Sequence, residues 1–157
     1  MKITLLTMGQ TEKNWILDGL NTYSARLVHF VPFSVREIPE LKNAASLSRE
    51  QVKDKEGELI LKNIKATDEV ILLDEHGKGF SSAEWAAVIG KKLDAGSRDM
   101  VFVIGGPYGF SKKVYERSNG MISLSRMTFS HQMARVIFAE QLYRAFTIIR
   151  GLPYHHE

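Results

Sequence analysis

The chain has 157 residues, of which 44% are hydrophobic and 25% charged; this composition predicts one folded domain and excludes general disorder. It contains no cysteine, which excludes disulfide frameworks, thiolate metal sites, iron–sulfur clusters and cysteine nucleophiles. The formal net charge is +3, so the chain is only mildly basic. No segment has the pattern of a signal peptide or of a membrane span, and we therefore expect a soluble cytoplasmic protein.

Strand and helix patterns alternate along the whole chain. The runs 69–74 and 99–105 are nearly continuous in apolar residues, which is typical of strands covered on both faces of a parallel sheet. The order predicts a single α/β domain over residues 1–157, with a mainly parallel sheet and helices on both faces. In chain order the predicted elements are a strand at 1–9, a helix from Thr11 towards Pro32, a strand at Phe33–Ile38, a mobile loop at 41–47, a helix at 48–65, a strand at 69–74, a helix from Ser81 or Ser82 to Gly96, a strand at 99–105, a helix at 111–119, a strand at 121–125 and a helix ending near Arg150.

Three loops, at 73–79, 105–109 and 124–131, follow the three later strands. Ligands of open α/β sheets bind beyond the carboxyl ends of the strands, and the glycines of the first two loops let a ligand approach the backbone. Neither loop has the spacing of a P-loop or of the dinucleotide fingerprint, and Pro107 removes an amide that could hold a phosphate. Simple turn geometry explains any one glycine turn, but the three loops together predict a cofactor recognised through adenine and backbone contacts.

The polar residues of the chain do not predict a metal site. His76 and His131 lie on separate loops, and the adjacent His155 and His156 cannot easily share one metal ion. Residues 111–157 hold seven Lys and Arg but only three Glu, so the basic surplus lies in the last third of the chain. Such a bias marks either an ordinary solvated face or a surface that faces phosphates.

The predicted last helix is apolar nearly all round, which indicates burial on more than one side. A second subunit could supply the extra cover, and we therefore expect a homodimer through this helix. Arg135 lies on the apolar face beside Leu142 and Phe146, where an unpaired charge would be very costly. Its partner is either a carboxylate of the same chain or an anion near the dimer seam.

Five motifs, in order and over nearly the whole length, resemble the bacterial ribosomal RNA large subunit methyltransferase H family, a group of minimal SPOUT methyltransferases. The motifs are Leu73-Asp74-x-x-Gly77-Lys78, Ile104-Gly105-Gly106-Pro107-x-Gly109, Ser123-Leu124-Ser125-x-Met127-Thr128-Phe129-x-His131, Ala139-Glu140-Gln141-Leu142-Tyr143-Arg144-Ala145 and Pro153-Tyr154-His155-x-Glu157. His156 departs from the pattern, since some relatives carry arginine there.

The resemblance implies a SPOUT-like fold with a C-terminal trefoil knot that holds S-adenosylmethionine, a homodimer, and no separate RNA-binding domain. It implies methylation of N3 of the pseudouridine at position 1915 of 23S rRNA, in the usual bacterial numbering, within the assembled ribosome. No metal and no membrane are involved. By motif matching, the expected cofactor contacts are Leu73, Gly105, Leu124, Ser125, Arg126, Met127, Thr128 and Phe129.

The expected catalytic residues are His155 and Tyr154, which the resemblance implies, and Arg135, which is singled out by its place on the apolar face of the last helix. N3 carries a proton that must leave, and histidine is the natural base near neutrality, with His155 as first choice and His131 as second. Tyr154 can stack on a base. Arg135 or Arg144, together with Lys112 and Lys113, is expected to contact phosphates.

Two other classes of protein remain open from the residues alone. A nucleotide-dependent oxidoreductase could use the same glycine loops, although the failed dinucleotide fingerprint counts against it. A ribosome-binding protein without catalysis could share the fold, although the intact loop motifs count against that alternative.

Overall fold

The computed structural model describes residues 1–96 and 98–156. Within them, five strands form one sheet in the order β2-β1-β4-β3-β5, and all four neighbouring pairs are parallel. The predicted mainly parallel α/β sheet is therefore confirmed. The strands are β1 (Ile3–Met8), β2 (Phe33–Ile38), β3 (Glu69–Gly79), β4 (Met100–Ile104) and β5 (Gly120–Ser123).

Five α-helices cover the two faces of the sheet. Alternate residues of the central strands point to opposite faces, so Leu5 and Phe102 belong to one apolar core, and Leu6 and Val103 to the other. Helices α1, α3 and α5 pack on the first core, and α2 and α4 on the second. The helices are α1 (Trp15–Leu27), α2 (Arg49–Lys62), α3 (Ser82–Asp94), α4 (Lys112–Arg117) and α5 (His131–Ile149), with a 3₁₀ turn at Ala44–Ser46 inside the predicted loop 41–47.

Serine side chains begin most of the helices, as the sequence predicts. Ser48 and Ser81 each form a capping box, in which the serine hydroxyl accepts from the third backbone amide of the helix and the side chain there accepts from the serine amide. Ser111 caps α4 in the simpler way. The open alternative between Ser81 and Ser82 is thereby settled in favour of Ser81.

The start of α1 differs from the prediction. The helix begins at Trp15, and Asn14 is its cap, with the side-chain oxygen accepting from the Ile16 amide at 2.9 Å. Thr11 was expected to be the cap, but its hydroxyl accepts a hydrogen bond from Arg135 instead. Thr11 is thus bonded to a residue 124 positions away in the chain and does not cap the first helix.

Strand β3 is longer than the predicted 69–74 run. It pairs with β5 up to Leu73, and pairing resumes at Lys78, so that Leu73 and Lys78 both lie opposite Ile122. The segment 74–77 bulges out between them. The predicted loop 75–79 is therefore part of an irregular strand, and the bulge lifts Asp74 and His76 away from the ladder at the carboxyl end of the sheet.

Helix α5 lies on the sheet in contact with both α1 and α3. From His131 to Ile148 none of its residues is exposed, although no second chain is present. The helix is therefore buried on more than one side, as expected, but neighbouring helices of the same chain supply much of the cover. Among the helices of the described residues, none combines the length and the apolar character needed to cross a bilayer.

Candidate functional site

A cavity of about 560 Å³ lies at the carboxyl ends of β3, β4 and β5. This volume falls within the range of roughly 300–1,000 Å³ that is common for small-molecule sites. The three loops singled out in the sequence converge on it, and their placement around one site is confirmed. Its walls are formed by residues 73–76, 104–110 and 123–125, together with Tyr115, Met127, Thr128, Phe129, Ser130, His131 and Ala134.

Two glycines in the second loop lie directly against buried side chains. A Cβ on Gly105 would be 2.9 Å from Cε1 of Phe110, and one on Gly106 would be 2.5 Å from Oε2 of Glu56. Both distances are shorter than real Cβ contacts, so any side chain there would push the loop or its neighbours. The loop can therefore cover Phe110 and Glu56 and still present bare backbone to the cavity.

The cavity wall is apolar and backbone-rich, and its formal charge is negative. Leu73, Ile104 and Leu124 contribute apolar surface, and Asp74 and Glu75 contribute carboxylates. Among the described residues, no lysine or arginine lines the cavity. The two carboxylates repel an anion such as a phosphate group, so this wall favours a ligand that is neutral or positively charged.

Asp74 is held as a carboxylate by a small hydrogen-bond network in the wall. The Tyr115 hydroxyl donates to Oδ2 at 2.5 Å, and the His76 amide donates to Oδ1 at 2.8 Å. Burial by itself would raise the pKa of Asp74, but these hydrogen bonds lower it below its ordinary value. Burial, together with the bond to Asp74, raises the pKa of Tyr115 to about 12. Tyr115 is not among the residues predicted from the sequence, although the Leu73-Asp74 motif contains its partner.

Most of the expected cofactor contacts line this cavity. Arg126 is the exception, because it is exposed and does not belong to the wall. The third loop is shaped internally by Ser125, whose carbonyl accepts from Ser123 and whose hydroxyl accepts from the Met127 amide. The expected contacts found in the wall are Leu73, Gly105, Leu124, Ser125, Met127, Thr128 and Phe129.

Arg135 was expected to be catalytic or to contact an anion, and the structure corrects this. Its side chain is 0% exposed and does not line the cavity. The guanidinium donates to the carbonyls of Met8 and Gly9 and to the Thr11 hydroxyl, at 3.0, 3.1 and 2.8 Å, and lies 3.6 Å from Oε2 of Glu37. The partner is therefore intramolecular. Arg135 ties α5 to the end of β1, and its donors are not available to a substrate.

The C-terminal tail folds back on the second half of α5 and forms the C-terminal cluster of Glu140, Arg144, Tyr154 and His155. Arg144 binds both carboxylate oxygens of Glu140, at 3.2 and 2.8 Å, and its Nη1 lies 3.1 Å from Nδ1 of His155. The Tyr154 hydroxyl donates to Glu140 at 3.0 Å, and burial raises the pKa of this tyrosine. Glu157, the last residue of the tail motif, lies outside the described residues.

The cluster and the cavity lie at opposite ends of α5. His131 lines the cavity at the start of the helix, and Arg144 comes 13 residues later. At 1.5 Å per residue the separation along the axis is roughly 20 Å. Within one chain, the expected catalytic residues Tyr154 and His155 are thus not brought to the cavity. Lys112 and Lys113, expected to contact phosphates, are exposed at the start of α4.

Comparisons with known proteins show the family and the fold of this chain. A family described as "Predicted SPOUT methyltransferase" matches residues 1–155. The chain is 54% identical over 157 residues to ribosomal RNA large subunit methyltransferase H of Phocaeicola vulgatus, and 50% identical to the protein of the same name from Parabacteroides distasonis, with 100% of each chain covered in both cases. A probable methylase family protein from Haemophilus influenzae is a structural neighbour, with a TM-score of 0.53, 14% identity, and coverage of 99% of this chain and 70% of that one.

Proposed function

The chain belongs to the ribosomal RNA large subunit methyltransferase H family of SPOUT methyltransferases, and we propose that it methylates N3 of a pseudouridine in 23S rRNA of the assembled ribosome, at position 1915 in the usual bacterial numbering. The observation that carries this proposal is the cavity at the ends of β3, β4 and β5, whose walls coincide with the family motifs. Because ribosomes are its substrate, we place the protein in the cytoplasm. The trefoil knot of the family is expected in its C-terminal part.

The cavity fits S-adenosylmethionine. Bare backbone at Gly105 and Gly106 allows a close approach of adenosine, and the wall lacks the cationic groups that a phosphate would need. The Asp74 carboxylate matches a positively charged ligand. When bound, this cofactor supplies an electrophilic methyl carbon on a positively charged sulfur. The role of the protein is then to align N3 with that carbon and to exclude competing water.

The proton on N3 must leave as the new N–C bond forms. In the C-terminal cluster, Nδ1 of His155 lies 3.1 Å from Nη1 of Arg144, and because a guanidinium has only donors, Nδ1 is the acceptor of this contact. We propose that His155, next to Tyr154 in this cluster, helps to hold the target base. Of the two histidines expected as bases, His131 is the one that lines the cavity, and we propose that it takes the proton from N3.

The tail and the cavity can act on one nucleotide only if two chains combine. The roughly 20 Å between the cluster and the cavity of one chain places the two halves of the site too far apart. A second copy in which α5 runs the opposite way would bring its cluster to this cavity. We therefore place the active site at the seam of a homodimer.

An apolar groove beside the cavity supports this arrangement. The groove has a volume of about 190 Å³, and Leu124 and Phe129 line both it and the cavity. Ile137 of α5 forms part of its wall, and Met127 at the cavity is 77% exposed. A partner subunit that covers this groove would also close the cofactor site.

Transfer of a tritiated methyl group to ribosomes that lack the modification tests the proposed reaction. We expect incorporation into the large-subunit RNA, and mass spectrometry of the digested RNA should place the label on N3 of one pseudouridine. Titration with S-adenosylhomocysteine and with NADH separates the alternatives, because an oxidoreductase would bind NADH. Binding of ribosomes without any incorporation would contradict the proposed reaction.

A further inference from the structure

Glu56 is a buried acid that the proposed reaction does not use. It lies on α2 between Val52 and Ile60, on the face of the helix that packs on the second apolar core. Its Oε1 has no hydrogen-bond partner among the described residues. A buried carboxyl with an unbonded oxygen costs stability, so support of the fold does not explain why an acid lies at this position.

The carboxyl of Glu56 lies directly against the second loop of the cavity, residues 105–109, which we call the cofactor loop. A Cβ on Gly106 would be 2.5 Å from Oε2 and 2.7 Å from Oε1 of Glu56, so both oxygens face the backbone of this glycine. Gly106 also lines the cavity. A single backbone segment thus separates the buried carboxyl from the proposed cofactor site.

The cofactor loop holds amide groups that match this carboxyl. It is a tight turn, in which the Gly109 amide donates to the Gly106 carbonyl at 3.2 Å. The amides of Gly106 and Tyr108 donate to no acceptor within residues 1–96 and 98–156. Pro107 and Tyr108 are exposed, so the outer half of the turn is not packed into the core. Unbonded donors of the loop therefore lie close to an unbonded acceptor beneath it.

Charged side chains around Glu56 do not compensate its carboxyl. Burial is the cause of its raised pKa. The other titratable side chains of α2 and α4 are exposed, apart from Lys53, which pairs with Glu50 at 2.9 Å, and Arg117, which donates to backbone carbonyls. Strands β1 and β4 carry no titratable residue, and the cofactor loop carries only Tyr108. The loop amides are therefore the donors nearest at hand for an ionised Glu56.

We propose that Glu56 is the positioning residue of the cofactor loop, and that the loop closes on it when the cofactor site is occupied, with the Gly106 and Tyr108 amides donating to its carboxylate. This inference rests on the proposed function, since it concerns the same site. Burial favours the neutral acid in the free protein, whereas amide donors favour the ionised form, so closure releases the proton to solvent. The bonded loop then has a fixed position against the cofactor.

Calorimetric titration with S-adenosylhomocysteine over a series of pH values tests the proposal. The wild-type affinity should rise with pH between the pKa of Glu56 in the closed state and its raised pKa in the free state, by about tenfold for each unit between the two. Glu56→Gln should lose this rise, because an amide does not titrate. Other titrating groups of the cavity and of the ligand act in both proteins and cancel in the comparison. Glu58→Gln, exposed on the same helix, should keep the wild-type profile.

A second variant, Glu56→Leu, separates hydrogen bonding from packing. Glutamine keeps one acceptor oxygen for the loop amides and leucine keeps none, so the leucine variant should bind S-adenosylhomocysteine about tenfold more weakly than the glutamine variant. Urea unfolding shows that both variants fold. A glutamine variant that is at least as stable as wild type and still binds the ligand more weakly at neutral pH is not expected from a residue that only supports the fold.

Two results would overturn the inference while leaving the proposed function intact. One is a pH profile of Glu56→Gln that runs parallel to that of the wild type, and the other is equal affinity of the glutamine and leucine variants. Failure of the proposed function looks different, because the wild-type protein would then bind no S-adenosylhomocysteine at any pH, and this inference would fall with it.

Discussion

Gly105 lies in the wall of the cavity at a place where a side chain would collide with a buried ring. A Cβ there would lie 2.9 Å from the buried Phe110 ring, so Gly105→Ala must shift either the loop or the Phe110 ring, both of which line the cavity. We expect S-adenosylhomocysteine to bind at least about tenfold more weakly to this variant by isothermal titration calorimetry, with a native circular dichroism spectrum. Gly79→Ala is the matched control, because a Cβ there meets nothing within 4 Å. Equal affinities of the two variants would mean that the loop does not touch the cofactor.

Glu56 is a buried acid that lies against Gly106 behind the cofactor loop. It is 8% exposed, and its Oε1 has no hydrogen-bond partner among the described residues. Burial raises the pKa of this carboxyl above its ordinary value. The folded chain therefore holds the proton more tightly than the unfolded chain does, so stability contributed by the neutral acid is lost as the pH rises from the ordinary pKa through the raised one.

Glu56→Gln removes this titration and should increase the free energy of unfolding relative to wild type at neutral pH. The gain should shrink as the pH falls below the raised pKa, where the wild-type acid is neutral as well. Urea unfolding at a series of pH values measures the difference. Glu58→Gln, on the exposed side of α2, should show no such dependence. A pH-independent difference for Glu56→Gln would assign its effect to packing alone.

At the scale of single elements, the C-terminal tail is the segment whose removal should separate folding from catalysis. It contacts α5 through Tyr154 and His155, and of its described residues, 154–156, none belongs to the two apolar cores. A chain that ends at Pro153 should therefore fold and bind S-adenosylhomocysteine almost normally, while methyl incorporation into ribosomes is lost.

Within the tail, the two adjacent histidines provide a built-in control. His155 is half-buried against Arg144, whereas His156 is exposed and lies outside the C-terminal cluster. If His155 holds a carbonyl of the target base, His155→Ala should lower turnover by roughly 10²-fold or more, as loss of a positioned donor does elsewhere. His156→Ala should have a much smaller effect. Similar turnover for the two variants would remove His155 from the reaction.

The elements that the sequence predicted well are those decided by neighbouring residues. Strand β2 has the predicted ends at Phe33 and Ile38, and Ser48 and Ser111 cap the helices that follow them. The missed extension of β3 depends on Lys78 returning to Ile122, a pairing that no local pattern contains. The start of α1 was also missed: Asn14 caps the helix, and the Thr11 hydroxyl accepts from Arg135, 124 residues away, a contact that no local pattern shows.

The candidate site likewise has features that the local sequence predicts and features that depend on contacts between distant segments. Alternating strands and helices with glycine loops are enough to place three loops around one cavity. The network of Asp74 with Tyr115 joins two elements 41 residues apart, and periodicity cannot show it. The partners of Arg135 likewise depend on the return of α5 to β1; a helical wheel shows only that a partner is required.

At the scale of the whole molecule, the proposed homodimer depends on the groove beside the cavity. Ile137→Glu places a charge in that groove, where burial against a partner would be costly, and should shift the protein towards monomer in sedimentation velocity experiments. Methyl incorporation should fall as the fraction of dimer falls, because the tail of one chain then no longer reaches the cavity of the other. Lys55→Glu, on the far side of the sheet, should remain dimeric. A wild-type protein that sediments as monomer at micromolar concentration would contradict the composite site.

The bonds from Arg135 to Met8 and Gly9 have a consequence for how the protein is made. They join positions 127 and 126 residues apart, so the last helix docks only after nearly the whole chain is available. Contacts of such long range slow folding, because the loop must close before any of them can form. The cavity loop 124–131 leads directly into α5, so a nascent chain still lacking that helix has no finished methyl-donor pocket. The rate at which refolding protein gains the ability to bind S-adenosylhomocysteine would therefore report the rate at which α5 docks on the end of β1.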